Sequence, residues 1–520
     1  MSILATSIAL ALMNAGCGGA ADTTAAVTEA AVAGADATTL DLDETGKRRR
    51  ESDPRRTSNS TTSTTATTIP TTTTSTTATT ATTATSPTSP TSPTTGSESI
   101  QSSSTVITTP ALVASNSNVT TTSNSVTTIG TPSQVTPGPI QGPLLTETNL
   151  TYLGGFRLPL ASDQDLGSSH FGWGGAAITS YLDPTTGKLT LYMQGHPSKP
   201  GHISQIEVPE QFVVSENWSD LPTAKVIKKF QDVTNGLLST LGDSSGSSVS
   251  LYGILPYNNK LILSASIFYT YVQNASHAIT SLDFSSSGNT QGFYPFTSDT
   301  LAPSRALGGS MDYIPPAWRS ALGGPAVTGQ QSMPVISTNS AGPSLTVFDP
   351  NDVGLKNQIP GKTLLYYPVD APLCGSAGCD NAANPIYNGI STIRGRAMVP
   401  NTRSILFVGS HSGGQYWYGD NPSPTGLYDS IRPSGRGPHA TAYEYRIWAY
   451  DVNDLVAVKA GSKLPHEVRP YKIWQLPELT KLDPTAYITG VAFDPGSSMI
   501  FVTTAYGDKP RVEVYKIKLQ

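Results

Sequence analysis

Five times between residue 145 and the end of the sequence, a strand rich in small residues is followed by a Pro-containing turn. A β-rich strand, a variable loop and a third alternating strand then follow. The clearest copies read "GGAAITSYLDPTTGKLTLYMQG" then "HISQIEVPE", "RGRAMVPNTRSILFVGS" then "YRIWAYDVND", and "ITGVAFDPGSSMIFVTT" then "RVEVYKIK". "VSLYGILPYNNKLILSAS" then "AITSLDF" fits as well, and a degraded copy runs through "GGSMDYIPP", "QSMPVISTN" and "SLTVFDP". A supersecondary unit repeated at a near-constant period stacks its copies into an array, because no single copy can bury its own apolar faces. Candidate fourth strands follow in "AKVIKKFQD", "QGFYPFTS", "KTLLYYPVD" and "PYKIWQLPE", and the last copy has none. Yet "NLTYLGGFRLP" (149–159) stands without a partner at the start and matches these outer strands in character. A ring reconciles the two: the N-terminal strand completes the last sheet. The pattern therefore predicts an all-β, five-bladed β-propeller with four-stranded antiparallel blades, an architecture that leaves only short edges exposed. Six or seven blades are the alternative if the long insertions hold further strands. The segment "DVNDLVAVKAG" is the best short helix.

Upstream the chain is of another kind. Residues 57 to about 143 are mostly Thr, Ser and Pro and bury too little apolar surface to offset the entropy of ordering them. They read as a stalk, roughly 3 Å per residue when extended, and such hydroxyl-rich tracts are substrates for O-glycosylation. "MSILATSIALALMNAGCGG" holds an apolar run too short to span a bilayer but suited to a signal-peptide core, and Asn-Ala-Gly-Cys resembles a bacterial lipoprotein signal with Cys17 lipidated. The alternatives are a plain secretory signal or a misplaced start. The expected organisation is thus a signal over 1–17, a linker and stalk over 18–143 and a propeller over 144–520, in an exported protein of the bacterial envelope or medium. Cys374 and Cys379 in "LCGSAGCDN" suit a local disulfide outside the cytoplasm, with free thiols as the alternative. With 13% charged residues and a net charge of −5, nothing points to nucleic acid or an anionic membrane surface. A membrane enters only through the lipid anchor. "KRRRESDPRR" (47–56) reads as a solvated linker.

"GVAFDPGSSMIFVTT" and "RIWAYDVNDLVAVKAG" resemble segments of large exported bacterial proteins that are functionally uncharacterised. The resemblance covers about residues 145 to 520. It implies the propeller fold and says little about chemistry.

In a blade, the loop leading into the inner strand and the loop joining the second and third strands lie on one face of the ring. His170, His196, His202, His277, His411 and His439 all map to that face, and only His466 to the other. Trp173, Tyr269, Tyr271, Tyr416, Trp417, Tyr418, Tyr487 and Tyr506 map there too. The stretch "GSHSGGQYWYGD" (409–420) opens its longest insertion. Exposed Trp and Tyr give flat apolar surface with a polar edge, suited to a sugar ring or a protein partner. The expected ligand-binding residues are therefore Trp173, His196, His411, Tyr416, Trp417, Tyr418, Asp420 and Tyr506, and the expected partner is an extracellular glycan or protein. The bland alternative is that such aromatics pack over the rim and that each histidine is hydrogen-bonded structure.

Three chemistries are weighed against binding. Glycoside cleavage needs two carboxylates at a defined separation. Asp163 or Asp165, Asp243 and Asp312 stand in or near successive loops leading into inner strands, so Asp243 and Asp312 are the catalytic candidates of a rival, hydrolase reading. Metal assistance would use His170, His196, His202 and His411, although no compact spacing such as H-E-x-x-H supports it. No cofactor is expected unless it is that metal ion. "GSHSG" is no nucleophile elbow and "GWGGAA" no dinucleotide loop, since neither has the strand–turn–helix context. A scaffold without a small ligand is the third reading.

Overall fold

A computed structural model describes residues 138–241, 249–267, 275–331, 339–375, 379, 384–432, 436–482, 487–504 and 509–519. The expectations placed on Cys17, the stalk up to residue 137, Asp243, Tyr269, Tyr271 and Tyr506 lie outside the described residues.

A lone strand β1 (Leu150–Arg157) comes first. Blade 1 follows as β2 (Ile178–Leu182), β3 (Leu189–Gln194), β4 (His202–Glu207) and β5 (Lys225–Asp232). Blade 2 is β6 (Val249–Tyr257), β7 (Lys260–Ile267), β8 (His277–Ser281) and β9 (Gln291–Tyr294). Blade 3 is β10 (Met311–Tyr313), β11 (Ala326–Thr328), β12 (Leu345–Phe348) and β13 (Gly361–Leu365). Blade 4 begins with β14 (Thr392–Met398) and β15 (Ser404–Ser412), detours through a hairpin of β16 (Tyr416–Gly419) and β17 (Gly437–Ala440), and ends with β18 (Tyr443–Asp451) and β19 (Lys472–Gln475). Blade 5 has β20 (Ile488–Asp494), β21 (Met499–Thr504) and β22 (Arg511–Ile517), and β1 pairs antiparallel with β22 as its fourth strand. The chain is a five-bladed β-propeller whose ring is closed by its first strand.

The short period-2 runs explain the stacking. Successive side chains of a strand point to opposite faces of its sheet, and here both faces are buried. In blade 1 Leu191 and Met193 enter the core shared with blade 5, while Tyr192 between them enters the core shared with blade 2. In blade 4 Ile405 and Phe407 pack towards blade 3, and Leu406 and Val408 towards blade 5. A further core, with Leu255, Ile262, Met311 and Phe348, joins blades 2 and 3. This is why second strands such as "LILSASI", "ILFVGS" and "MIFVTT" carry apolar residues on both faces.

Two details depart from the sequence reading. The second strand of blade 3 is the short β11, not the more β-rich "QSMPVISTN", because Met311 pairs with Thr328 and Tyr313 with Ala326. Residues ahead of 144 already pack on the propeller. Ile140 exchanges backbone hydrogen bonds with the Asn453 side chain (2.8 and 3.1 Å), and the buried Leu145 donates its amide to Ser404 Oγ (2.9 Å). The expected helix is present as Val452–Lys459, capped by the Asp451 carboxylate on the Asn453 amide. Cys374 and Cys379 are joined in a disulfide.

Candidate functional site

Each inner strand starts at the loop-rich face and runs along the axis. Three of them carry a bulge near that start, between Leu251 and Gly253 in β6, Ile393 and Gly395 in β14, and Ile488 and Gly490 in β20. The bulged residues are Tyr252, Arg394 and Thr489, and each precedes a glycine. Those glycines are required by close approach. A Cβ on Gly253 would overlap the carbonyl oxygen of Gly309, one on Gly395 that of Val491, and one on Gly490 that of Gly175, in each case on the next blade's chain. The strands therefore close tightly around the axis. Gln331, from blade 3, reaches across it and donates its side-chain amide to the carbonyls of Ala176 (2.5 Å) and Thr489 (2.8 Å) on blades 1 and 5.

The hairpin β16–β17 stands on the same face. Its hub is Asp429, fully buried. One carboxylate oxygen accepts from the Tyr443 hydroxyl (2.7 Å), His439 Nδ1 (3.2 Å) and the Ala440 amide (3.3 Å), and the other from the Ile431 and Arg432 amides (both 2.9 Å). Burial pushes the Asp429 carboxyl up, but the hydrogen bonds from His439 and Tyr443 and the Arg432 amide and charge outweigh it and hold it below the usual range. Trp417 stacks on His439 with ring centroids 5.3 Å apart and donates its indole N–H to the Asp420 carbonyl (2.9 Å). Tyr416 packs the other way, against Ile390, Ala440 and Tyr443. Among the expected aromatics of this insertion only Tyr418 is mostly exposed, at 51%, and Tyr428, which sequence reasoning passed over, matches it at 52%. Asp420 is exposed.

The histidines divide. His411 is buried in β15, bonded to Ser391 Oγ (2.7 Å) and edge-on to Trp448, and burial with the nearby Arg446 lowers it to about 3. His277 is buried against Phe296 and Phe348, and burial lowers it to about 3. Both are buried, neutral residues of the core. The rings of His170 and His196 lie 4.5 Å apart, tilted by 33°, and burial together with His170 brings His196 to about 4. His202 is half-buried at the start of β4 and lowered by burial. Of the four candidate metal ligands the structure brings together His170 and His196. Among the described residues no group of three or more His, Cys, Asp or Glu is arranged to hold a metal ion. Trp173 is half-buried in the turn leading to β2, at a φ of 60° that costs a bulky residue of order 1 kcal/mol.

Asp312 sits elsewhere than its sequence position implied. It is the middle residue of β10, not part of the loop before it, and it opens to the other face. There the last residues of all five inner strands surround a cavity of about 370 Å³, with Tyr181, Asp312, Tyr313, Met398, Phe493 and Asp494 in its wall. Arg396 Nη1 lies 3.5 Å from Asp312 Oδ2, and burial, opposed by Arg396, pushes the Asp312 carboxyl up to about 7. Asp163 and Asp165 are tied into a turn and an ion pair with Lys229.

The fold defines the protein by class, a five-bladed β-propeller with one loop-rich face. No known family and no curated protein matches the chain. Among solved structures it is similar to a glycosyl hydrolase from Bacteroides ovatus, with 11% identity over 72% of this chain and 93% of that one and a TM-score of 0.34. It is also similar to the native arabinanase Arb43A of Bacillus subtilis (12%, 70% and 96%, 0.32) and to Raptor of Chaetomium thermophilum (10%, 66% and 23%, 0.26). Likenesses at this level assign neither activity nor ligand to the chain. Among the described residues no helix is long and apolar enough to cross a membrane.

Proposed function

We propose that this is an exported binding protein, tethered through a lipid on Cys17 and a Thr-rich stalk, whose loop-rich face takes an extracellular glycan or protein. One observation carries the reading: the hairpin insertion holds Tyr418 and Tyr428 out to solvent on a scaffold in which buried Asp429 accepts hydrogen bonds from five donors. Aromatics held in place lose little entropy on binding, which makes them efficient stacking surfaces and interface anchors. Trp417 has a structural duty in this reading, covering His439, so its removal would disturb the platform as well as any contact. A glycan array probed with the full chain beside Tyr418→Ala and Tyr428→Ala tests it. Each substitution is expected to weaken binding by about 1–3 kcal/mol. Silence of the array, with no protein captured from the organism's own surface fraction in a Tyr418-dependent way, would sink the proposal.

Hydrolysis is the second reading. It is favoured by Asp312 and Asp494 lining one cavity, with Asp312 held near neutrality as a general acid requires. It predicts reducing ends released from a polysaccharide and lost in Asp312→Asn.

A further inference from the structure

We infer that the axial mouth of the loop-rich face is an anion site with Arg394 as its charged anchor, so that the ligand carries an acidic group, a carboxylate or a sulfate ester on a sugar. The inference rests on the binding reading above and names the class of glycan.

The position comes from topology. Arg394 occupies in blade 4 the bulge that Tyr252 occupies in blade 2 and Thr489 in blade 5. The glycine after each lets the neighbouring inner strand close in, and Arg394 lies within electrostatic reach of Tyr252 and of Tyr487 at the start of blade 5, which places these three together at the mouth. Gln331 bridges blades 1 and 5 across the same axis. A ligand centred on the face therefore meets Arg394.

The chemistry comes from what Arg394 lacks. Three arginines are more deeply buried than Arg394, and each has a polar partner. Arg305 donates to the Ile267 carbonyl and the Asn339 side chain, Arg396 donates to Ser310 and lies 3.5 Å from the Asp312 carboxylate, and Arg511 donates to Glu513 and the Ser215 carbonyl. Arg394 is half-buried, its Nε is wholly shielded, and among the described residues its guanidinium makes no hydrogen bond or ion pair. A shielded Nε without a partner is costly, and the rest of this guanidinium is left to a partner that arrives from outside.

Among the described residues, the groups whose charge or dipole reaches Arg394 are Tyr487, Tyr252, Arg432 and Tyr387, none of them a carboxylate. Arg432 is itself balanced by Asp429. Burial lowers Arg394 from its ordinary value, but a guanidinium keeps its charge in a protein. Its planar fork matches a carboxylate or sulfate in a two-point contact. Tyr252 and Tyr487, both partly exposed, add hydroxyl donors and ring faces for the sugar that bears the acid.

The test uses the full chain with three probes, D-glucuronate, its uncharged methyl ester and inorganic sulfate, read by calorimetry at two salt concentrations. It is run beside Arg394→Gln and Arg394→Lys. Glucuronate or sulfate should bind at least 10-fold more weakly to Arg394→Gln and intermediately to Arg394→Lys. Binding should weaken with salt, and the ester should not bind measurably. Which of the two anions binds more tightly identifies a carboxylate or a sulfate ester as the source. Equal binding of acid and ester, or acid binding indifferent to Arg394→Gln in a variant that melts like the wild type, overturns the anion site. So does binding of neither anion. A glycan array separates this from the broader reading. Neutral glycans retained by both proteins would overturn the anion site and leave glycan binding standing. Anions held through Arg394 with a silent array would keep the site and remove the glycan.

Discussion

Asp429 concentrates more hydrogen bonds than any other carboxylate described above, and its loss is expected to free the hairpin rather than unfold the ring. In Asp429→Asn the amide would face the donors of Tyr443, His439 and Ala440 with a donor of its own. That leaves buried groups unpaired at a cost of about 2–3 kcal/mol. The sign with pH follows from its depressed value. The contribution is present above the unfolded carboxylate range near pH 4 and is lost as pH falls through the lower folded value. Hydrogen exchange at the Ile431 and Arg432 amides should accelerate in Asp429→Asn at neutral pH, and in the wild type only below about pH 4. Protection that ignores both would show that the hub does not hold the loop. Only the turn onto the Ile431 and Arg432 amides lies within "GLYDSIRP"; the other three donors, from His439, Ala440 and Tyr443, come from ten and more residues further along. The face of His411 and Tyr416 could be read, but not their depth. β15 simply runs on through "FVGSHS" as a buried strand, and a side chain's face follows from strand order whereas its burial depends on what the insertion folds back upon. Arg394 was visible in "RGRAM", but that it stands unpaired is a tertiary fact.

At the scale of elements, the inner strands show how much a small-residue strand encodes. Sequence alone located them from their glycines and alanines and the Pro-containing turns that follow. The bulges escaped, because an extra residue in a strand shifts pairing without changing composition. So did β11, whose three residues lack the length on which a periodic signal depends. The glycines themselves give a sharp test. A methyl group on Gly490 or Gly253 would lie well inside 3.0 Å of a backbone oxygen on the neighbouring blade, which cannot yield as a flexible side chain would. Gly490→Ala and Gly253→Ala are each expected to lower the unfolding free energy by about 1–3 kcal/mol through strained packing. Gly288→Ala, with nothing within 4 Å, should change it by less than about 0.5 kcal/mol. Denaturant melts of the three variants decide. A Gly490→Ala variant as stable as Gly288→Ala would mean the inner strands do not meet as closely as described.

The ring as a whole depends on its least local contact, the pairing of β1 with β22. Phe156 enters the core between blades 5 and 1, and Tyr152 donates to the buried Glu513 carboxylate (2.7 Å), which also pairs with Arg511. Arg157 stacks over Trp218, whose indole donates to the Pro510 carbonyl (3.1 Å). Losing Phe156 alone to alanine would cost about 3–5 kcal/mol, a large share of the roughly 5–15 kcal/mol that holds a typical domain. Losing the strand should therefore open the propeller. The unpaired "NLTYLGGFRLP" made this closure legible before any coordinates, because four repeats each showed an outer strand and the fifth did not. The join itself can be tested by moving it. Asn149 and Lys518 are paired, the Lys518 amide on the Asn149 carbonyl (2.8 Å) and the Asn149 side chain on the Lys518 carbonyl (2.9 Å), so an Asn-Gly turn can link them as a two-residue hairpin. A permuted chain starting at Ala161, running to Lys518 and continuing through Asn-Gly into residues 149–160 keeps every strand of blade 5 and makes its fourth strand sequential. It should fold cooperatively, melting somewhat below the chain that retains the Ile140 and Leu145 contacts. The same chain ending at Lys518 should aggregate or melt without a cooperative transition, since β22 then presents an open edge over an uncovered core. If both chains gave the same sharp melt, β1 would be an ornament on the ring rather than its closure.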